Sequence, residues 1–378
     1  MGRYLLHPGQ ENSELVHHVL RFLDQLGHVV VPCAVVLAVF LVGWKAVQLF
    51  SRFRQSASGH LVEVRLPATV DPKRAPIFWR NVHSVLTGRH RLRTPPAYVA
   101  FEIDSSSNET SLRFFVSPDV SPTSVARAVS SAWPGAQCRH LQATWTSLAR
   151  RFVVCGELRL AGPAWRSLWA DQTTDPLRSV LGAMEVHHDG ERAVVQVLAR
   201  PASSHQRHSL ASATKALHAG KPTALVPRLL AAWRTTAPQP RPDPIRSAEV
   251  RRAVDKVSDL PVFEVVVRYG VSAGVADRAS RRRLRARARE VTAAFGVYSR
   301  DNHFVSRHRL GCRRHLERRV FGRGQLLGLS ELAALAHLPS DEVTPGLSYA
   351  GAAAVAPPAE VTVRPSRQGV EEDDDDWL

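Results

Sequence analysis

One apolar run near the amino terminus constrains this chain more than any other feature. Residues 25–44 carry no formal charge, and they lie between Asp24 and Lys45. A helix over residues 29–50 would be about 33 Å long, which is enough to cross a bilayer core of about 30 Å. A buried core helix and a signal peptide are the alternatives, although the long acidic segment before the run does not fit a signal peptide. The run therefore predicts a transmembrane helix.

The charges around this run predict the orientation of the chain. Arg21 precedes the run, whereas three basic residues lie at its other end or just beyond it. Because positive residues next to a membrane helix stay on the cytoplasmic side, residues 1–28 are predicted to be extracytoplasmic. The expected protein is single-pass, in the inner (plasma) membrane, with its carboxyl-terminal bulk in the cytoplasm. The predicted membrane-interface residues are Trp44, Lys45, Arg52 and Arg54.

The rest of the sequence alternates short strands with helices, which predicts an α+β fold. Residues 61–145 give the order strand, helix, strand, strand, helix, strand, which is typical of a ferredoxin-like (split βαβ) unit. Similar orders predict a second unit at 149–234 and an Arg-rich third unit at 261–345. The proline-rich residues 235–260 are predicted to be a linker, and residues 357–378 a disordered acidic tail. The expected fold is one transmembrane helix followed by two to three ferredoxin-like units.

The positive charge of the chain is local. Lys and Arg number 50 against 34 Asp and Glu, a formal net charge of +16. Residues 278–323 contain 15 Arg and three acids, whereas residues 371–376 are six acids in a row. The Arg-rich segment predicts an anionic partner because a guanidinium group can donate two parallel hydrogen bonds to one phosphate. The predicted binding residues are Arg278, Arg281, Arg282, Arg285, Arg289, Arg307, Arg309, Arg313, Arg314, Arg318, Arg319 and Arg323.

Three interpretations of this Arg-rich segment remain open at this point. The first is a surface for the phosphates of a nucleic acid, in which Tyr298, His303, Phe304 and Phe321 are interleaved as in proteins that stack single-stranded bases. The second is a surface for an acidic protein or for the chain's own acidic tail. The third is an ordinary solvated helix face. The nearby membrane adds anionic lipid headgroups as a further partner.

No set of nucleophile, base and acid residues stands out in the sequence. There is no GxxxxGK[ST] phosphate loop and no CxxC pair. His303, His308, Cys312 and His315 are close together but lack the paired ligand spacing of structural zinc sites. We therefore expect no catalytic residue, no cofactor and no metal ligand, and a protein that is not an enzyme. An active site assembled from dispersed residues is the alternative.

Several stretches of the sequence resemble a known family. They are LVEVRLPATVDPKRAPIFWRNVHSVL, RTPPAYVAFEID, RFFVSPDVSPTSVARAVSSAWPGA and GLSELAALAHLPSDEVTPGLSYAGA, and they cover most of residues 61–351. Together they resemble the amino-terminal, pre-motor half of actinobacterial conjugation and type IV secretion-like ATPases of the HerA/FtsK class. The positions that carry the resemblance are Phe78, Trp79, Phe101, Trp133, Pro134, His337, Leu338 and Pro339.

The resemblance implies a function in DNA transfer without a motor on this chain. Where the motor of that family would begin, this sequence continues into residues 357–378, so a P-loop ATPase is expected on a separate chain. A truncated relative of a full ATPase is the other interpretation. The implied function is a membrane-anchored, non-catalytic platform of a conjugative DNA-transfer or type IV secretion-like machine, assembled as a homo-oligomeric ring. The alternative is a membrane-tethered nucleic-acid-binding or regulatory protein that uses residues 278–323.

Overall fold

The fold is mixed α/β, with one nine-stranded sheet and a long amino-terminal helix. A computed structural model describes residues 8–88, 95–107, 109–142, 148, 152–170, 175–219, 244–275, 277–308, 311–340 and 347–350. All strand pairs of the sheet are antiparallel. The predicted acidic tail at 357–378 lies outside the described residues.

Helix α1 runs from Pro8 to Ala57, a length of about 75 Å at 1.5 Å per residue. Its segment Pro32–Ala57 is long and apolar enough to cross a membrane, with a mean hydropathy of 2.1. Val39, Val42 and Phe50 are 67%, 69% and 71% exposed, as expected for side chains that face lipid instead of a protein core. The prediction of a helix able to span a membrane is confirmed, although the helix continues well beyond both ends of the predicted span 29–50.

The first group of strands follows directly after α1. It consists of β1 (His60–Arg65), α2 (Ala75–Gly88), β2 (Val99–Ser106), β3 (Thr110–Val116), α3 (Pro122–Ala132) and β4 (Gln137–Gln142). The strands lie in the order β4-β1-β3-β2. Only Ser58 and Gly59 separate the end of α1 from the start of β1, so the long helix is joined to the sheet by a very short connection.

The second group of elements repeats this strand order. It consists of β5 (Phe152–Leu160), α4 (Leu177–Met184), β6 (Glu191–Pro201), α5 (Ser204–His218), α6 (Pro244–Ser258), β7 (Phe263–Ala273), α7 (Arg278–Ala294), β8 (Phe304–Arg307), α8 (Cys312–Glu317), β9 (Gln325–Leu327) and α9 (Leu329–Leu335). The order β8-β5-β7-β6 reads fourth, first, third, second, as in the first group. Strands β2 and β6 pair along their length and join the two groups into one sheet.

The second and third predicted units are not separate in the structure. Strand β7, from the predicted unit at 261–345, lies between β5 and β6 of the predicted unit at 149–234. Every residue of β7 is buried, and the strand pairs with β6 over eleven residues and with β5 over seven. A buried strand must pair its backbone groups on both sides, so β7 takes a central position in the sheet. The predicted boundary between these two units was therefore wrong.

The predicted linker at 235–260 contains a helix. Helix α6 begins at Pro244, a position that tolerates proline, and continues to Ser258. Ala253 of α6 is buried in a small apolar cluster with Trp165 and Leu210. The linker prediction was wrong for residues 244–258 because the prolines end there and apolar residues then recur at helical spacing.

Helices α2, α3, α4, α7 and α9 cover one face of the sheet, called here the helical face. The core beneath them contains Phe78, Trp79 and Trp133, which are at most 1% exposed. Trp79 of α2 packs edge-on against Phe263 of β7, and its indole N–H donates to the Ala336 carbonyl at 2.7 Å. These contacts connect the two groups, since α2 belongs to the first and α9, which ends just before Ala336, belongs to the second.

Candidate anion-binding surface

Helix α7 carries the first part of the predicted arginine cluster on the helical face. Its start is capped by Asp277, whose carboxylate accepts a hydrogen bond from the Ser280 N–H at 2.7 Å. Hydrogen bonds from the Ser280 side chain and backbone lower the pKa of Asp277 from its ordinary value. Leu284, Ala288 and Val291 recur at helical spacing and are buried against the sheet. This burial turns the other side of α7 toward solvent.

Five arginines form a single row along the solvent side of α7. Their spacing of three and four residues places them on one side of the helix, over about 16 Å of its length. All five side chains are exposed, and within the described ranges none has a carboxylate at ion-pair distance. We call this row the α7 stripe: Arg278, Arg281, Arg282, Arg285 and Arg289.

The other two arginines of α7 are held by carboxylates. Arg283 Nε lies 3.3 Å from Glu191 Oε1, and Arg283 Nη2 donates to Ser280 Oγ at 3.0 Å. Arg287 Nε lies 3.6 Å from Glu290 Oε2. One helix therefore offers an internal contrast between five arginines of the stripe and two that already have acidic partners.

The second part of the predicted cluster lies on the opposite face of the sheet. Leu316 of α8 packs against Val194 of β6, whereas the next residue, Val195, belongs to the core of the helical face. Successive strand residues point to opposite faces, so α7 and α8 are on different sides of the sheet. We call the side under α8 the polar face. The single patch predicted for residues 278–323 is therefore two surfaces separated by the sheet.

Arg319 on the polar face is a buried structural residue. Its guanidinium donates to both oxygens of Glu102, at 2.7 and 3.0 Å, and both side chains are at most 3% exposed. Gln196 donates to the same carboxylate at 2.7 Å, and the Tyr98 hydroxyl donates to the Arg319 carbonyl at 2.8 Å. With φ at 56°, Arg319 adopts a left-handed conformation that few non-glycine residues use. Contrary to the prediction, this guanidinium is not placed to bind an external anion.

Three further predicted arginines of this segment have contacts within the protein. Arg313 Nε donates to Glu317 Oε1 at 2.8 Å. Arg314 and Arg318 place their guanidinium carbons 4.6 and 5.7 Å from the ring centre of Phe53, near the end of α1. The predicted cluster is thus partly an internal support for the end of helix α1.

The remaining predicted residues are spread over the molecule. Arg307 is exposed on the edge strand β8, and Arg323 is exposed near β9 with its carbonyl accepting a hydrogen bond from Arg159 at 2.8 Å. Arg309 lies outside the described residues. Of the predicted membrane-interface residues, Trp44, Lys45 and Arg54 are exposed on α1 and Arg52 is half-buried.

The aromatic residues interleaved with these arginines belong mainly to the core. Tyr298 and Phe321 are buried, and Phe304 is half-buried against Phe295. His303 is exposed. Bases stack on open aromatic faces, so Tyr298 and Phe321 are not available for that purpose. The interpretation as a base-stacking surface was wrong for these two residues.

Sequence reasoning missed a buried ion pair in the second group. Lys256 Nζ of α6 lies 2.9 Å from Glu331 Oε2 of α9, and the two side chains are 2% and 5% exposed. Both residues line a cavity of about 300 Å³ together with Ser167, Arg252, Arg300 and Ser330. The only signal in the sequence was that Lys256 is one of few lysines in an arginine-rich chain.

Sequence reasoning also did not predict that His337 pairs with Asp175 in the interior of the protein. His337 is fully buried, and its Nε2 lies 2.8 Å from Asp175 Oδ1. Burial alone would raise the pKa of Asp175, but the hydrogen bond and charge of His337 and the N–H groups of Ser340 and Leu177 lower it. His337 lies in one of the stretches that resemble the known family. In the structure, its contact with Asp175 connects the start of α4 to the end of α9.

One motif was overlooked at the sequence level. Residues 270–274 read GVSAG, the letters of the GxSxG nucleophile elbow. An elbow requires its serine on a sharp turn between strand and helix, whereas Ser272 lies inside β7 and is fully buried. Ser272 is therefore a strand residue and not an exposed nucleophile.

The four residues considered as metal ligands are not assembled into a site. His303 and His308 are exposed, whereas Cys312 is buried in α8. Among the described residues, no group of three or more His, Cys, Asp or Glu side chains is placed to hold a metal ion.

These features define a class of protein: a mixed α/β sheet protein on a helix long and apolar enough to span a membrane, with an exposed arginine stripe. The chain belongs to the DUF8128 family, described as a domain of unknown function, whose model matches residues 48–346. The match begins within α1 and includes all nine strands and both arginine-rich regions. No curated protein sequence matches the chain.

Proposed function

We propose that this protein is a membrane-anchored, non-catalytic platform that binds the phosphates of DNA along the α7 stripe. The observation that carries the proposal is the stripe itself: five exposed arginines without a carboxylate partner in the described part of the chain. Like charges three and four residues apart destabilise a helix. An external polyanion would remove this repulsion, because each guanidinium can then pair with a phosphate.

The geometry of the stripe supports phosphate contacts that do not depend on base sequence. Arg278, Arg282, Arg285 and Arg289 rise along the helix in steps of about 6, 4.5 and 6 Å. Duplex DNA carries one charge per about 1.7 Å of axis, so a stripe of about 16 Å meets several phosphates. Phosphate contacts position a protein on DNA, whereas sequence is read at the base edges. The buried Tyr298 and Phe321 fit this mode of binding, since neither offers a ring to a base.

The wider context is part of the same proposal. We take the two strand groups to be ferredoxin-like units, an interpretation supported by their common order β4-β1-β3-β2 and β8-β5-β7-β6. The resemblance to pre-motor domains supports a platform for conjugative or type IV secretion-like DNA transfer, assembled as a ring around a separate P-loop ATPase. The positions of Lys45, Arg52 and Arg54 support a cytoplasmic location of the sheet. Affinity purification from membranes tests the ATPase partner, and a reporter fused at Leu378 tests the orientation.

DNA binding by the full chain in detergent micelles tests the stripe directly. Fluorescence anisotropy with a labelled duplex is measured across a salt series for the unmodified chain and for R285A/R289A. Each lost phosphate contact should reduce the slope of log affinity against log salt by about 0.9, so the double variant should lose about 1.8. The matched control is R283A/R287A on the same helix, where acidic partners already occupy the arginines. Equal slopes for both double variants would contradict the proposal.

An acidic protein, or the chain's own residues 371–376, is the second candidate partner of the stripe. Six consecutive acids on the same chain favour it by charge alone. Removal of residues 371–378 separates the two cases: if the tail competes for the stripe, the shortened chain should bind DNA more tightly, and the gain should vanish in R285A/R289A.

A further inference from the structure

The junction between α1 and the sheet holds the membrane helix in a fixed position. Gln55 Nε2 donates to the carbonyls of Pro95 and Pro96, at 3.3 and 3.2 Å. At Gly59, a Cβ atom would lie 2.2 Å from the Phe115 ring and 2.6 Å from the Val116 carbonyl oxygen. The backbone therefore passes too close to the sheet for any side chain at residue 59. The helix end is packed onto the sheet instead of being hinged above it.

Helix α8 lies against this same junction. The ring of Phe53 is in contact with the guanidinium groups of Arg314 and Arg318, and its centre is 5.8 Å from that of the His315 ring. Arg314 is exposed. A guanidinium that stacks on a ring through its face keeps the N–H donors in its plane for a phosphate. The polar face of the sheet thus presents a stacked arginine pair at the place where the membrane helix leaves it.

The depth of these groups follows from the apolar length of α1. Exposed apolar side chains continue to Phe50, and Phe53 lies about 4.5 Å further along the helix axis. The polar headgroup layer adds about 5–8 Å on each side of the hydrocarbon core. The Phe53 ring and the guanidinium groups on it therefore coincide with the headgroups when residues 29–50 span the core.

Four arginines lie in or next to this junction. We call four arginines the basal collar: Arg52 and Arg54, which flank Phe53 in the sequence, and Arg314 and Arg318, whose guanidinium groups lie over its ring. Glu317, the carboxylate of α8, is paired with Arg313 outside the collar. The collar is built from two elements, α1 and α8, that are far apart in sequence and in contact at Phe53.

We propose that the basal collar is a binding site for the phosphates of anionic lipid headgroups and that it holds the polar face of the sheet against the membrane surface. Arg54 and Arg314 supply the exposed guanidinium groups, and Phe53 orients Arg314 by stacking. The occupant is lipid and not DNA, because DNA at this depth would lie against a bilayer surface of its own charge sign. The proposal rests on membrane insertion of α1 and is independent of DNA binding by the α7 stripe.

Lipid retention by the full chain tests this site. The chain is reconstituted into nanodiscs of phosphatidylcholine and phosphatidylglycerol in equal amounts and released into detergent, and the retained lipids are counted by native mass spectrometry. The unmodified chain should retain phosphatidylglycerol over phosphatidylcholine. Each lost arginine should lower this preference by about fivefold, so R54A/R314A should lose most of it. The charge-conserving variant R54K/R314K should keep a clear preference for the anionic lipid.

Cross-controls separate this site from the α7 stripe. R285A/R289A should retain lipids as the unmodified chain does, and R54A/R314A should keep the salt slope of DNA binding. The site is refuted if R54A/R314A retains as much phosphatidylglycerol as the unmodified chain, or if R285A/R289A loses as much as R54A/R314A. A chain that is absent from the membrane fraction would also refute it. Loss of DNA binding alone would count against the proposed function and leave the collar in place.

Discussion

The two arginine-rich regions of this chain are similar in composition and opposite in environment. On α7, five arginines face solvent, and Leu284, Ala288 and Val291 anchor the helix to the apolar helical face. In the segment 311–323, Arg319 is buried on Glu102, while Arg314 and Arg318 stack on Phe53.

The difference comes from the strands beneath each region. The strands beneath α7 offer it mainly apolar side chains, with Glu191 as a carboxylate that pairs with Arg283, so the five arginines of the α7 stripe turn outward. The polar face carries the carboxylates of Glu102, Asp104 and Glu264. Arginines from distant parts of the chain form ion pairs with them. Arginine density along a sequence therefore does not identify a binding surface. The position of carboxylates across the fold decides which arginines remain available for a partner.

The largest expected loss of stability follows from removing the buried Arg319, which pairs with Glu102. Arg319→Ala leaves Glu102 buried without its ion-pair partner, which should lower the free energy of unfolding by about 3–5 kcal/mol. Chemical denaturation of the full chain in detergent micelles measures this. Arg285→Ala is the matched control, since it removes an arginine from the exposed side. A loss below about 1 kcal/mol for Arg319→Ala would mean that the pair does not support the fold.

A smaller loss of stability is expected where α8 meets the end of α1. Phe53→Ala removes a half-buried ring and its stacking with Arg314, which should lower stability by about 1–2 kcal/mol. Amide hydrogen exchange should rise in residues 312–317 and stay unchanged in α7. Equal acceleration in both helices would indicate global destabilisation and not a local contact between α1 and α8.

The stability that the ionised Glu264 of the polar face contributes should decrease at acid pH. Burial alone would raise the pKa of Glu264, but Arg200, aided by hydrogen bonds from Gln206 and the Gly324 N–H, lowers it below its ordinary 4.5. Stability from this carboxylate is present above pH 4.5 and is lost as the pH falls through the lowered value in the folded protein. Thermal unfolding of Glu264→Gln against the unmodified chain between pH 7 and pH 3 measures this. The difference in stability should shrink toward the acid end, and a constant difference would exclude a stabilising ionised Glu264.

The smallest effect on stability is expected for the α7 stripe. R285A/R289A removes two exposed arginines from a row of like charges, so the free energy of unfolding should change by less than about 0.5 kcal/mol. Chemical denaturation measures this free energy, and Arg319→Ala serves as the control that should show a large loss. A loss above about 1 kcal/mol would show that the stripe supports the fold, and the contrast between the two regions would disappear.

Much of the local structure could be predicted from the sequence. The uncharged run at 25–44 predicted the helix able to span a membrane, and helical spacing placed Arg278, Arg282, Arg285 and Arg289 on one side of α7. The alternation of strands and helices gave a mixed α/β protein. These features depend on residues close together in the chain, where the periods of helix and strand act directly.

Long-range pairing could not be predicted in the same way. The prediction of separate units at 149–234 and 261–345 failed because β7 pairs with strands whose residues precede their partners by up to about 120 positions. The inclusion of Arg319 among the binding residues failed because Glu102 is 217 positions away in the chain.

The sequence by itself determined the helix able to span a membrane, the excess of arginine and the row of arginines on α7, because hydrophobicity and periodicity are local properties. Only the tertiary structure decided that the sheet divides the arginines into two surfaces and that Arg314 and Arg318 meet Phe53 near the end of α1. The physical reason is that a charge is available or neutralised according to its neighbours in space, and the order of the strands sets those neighbours.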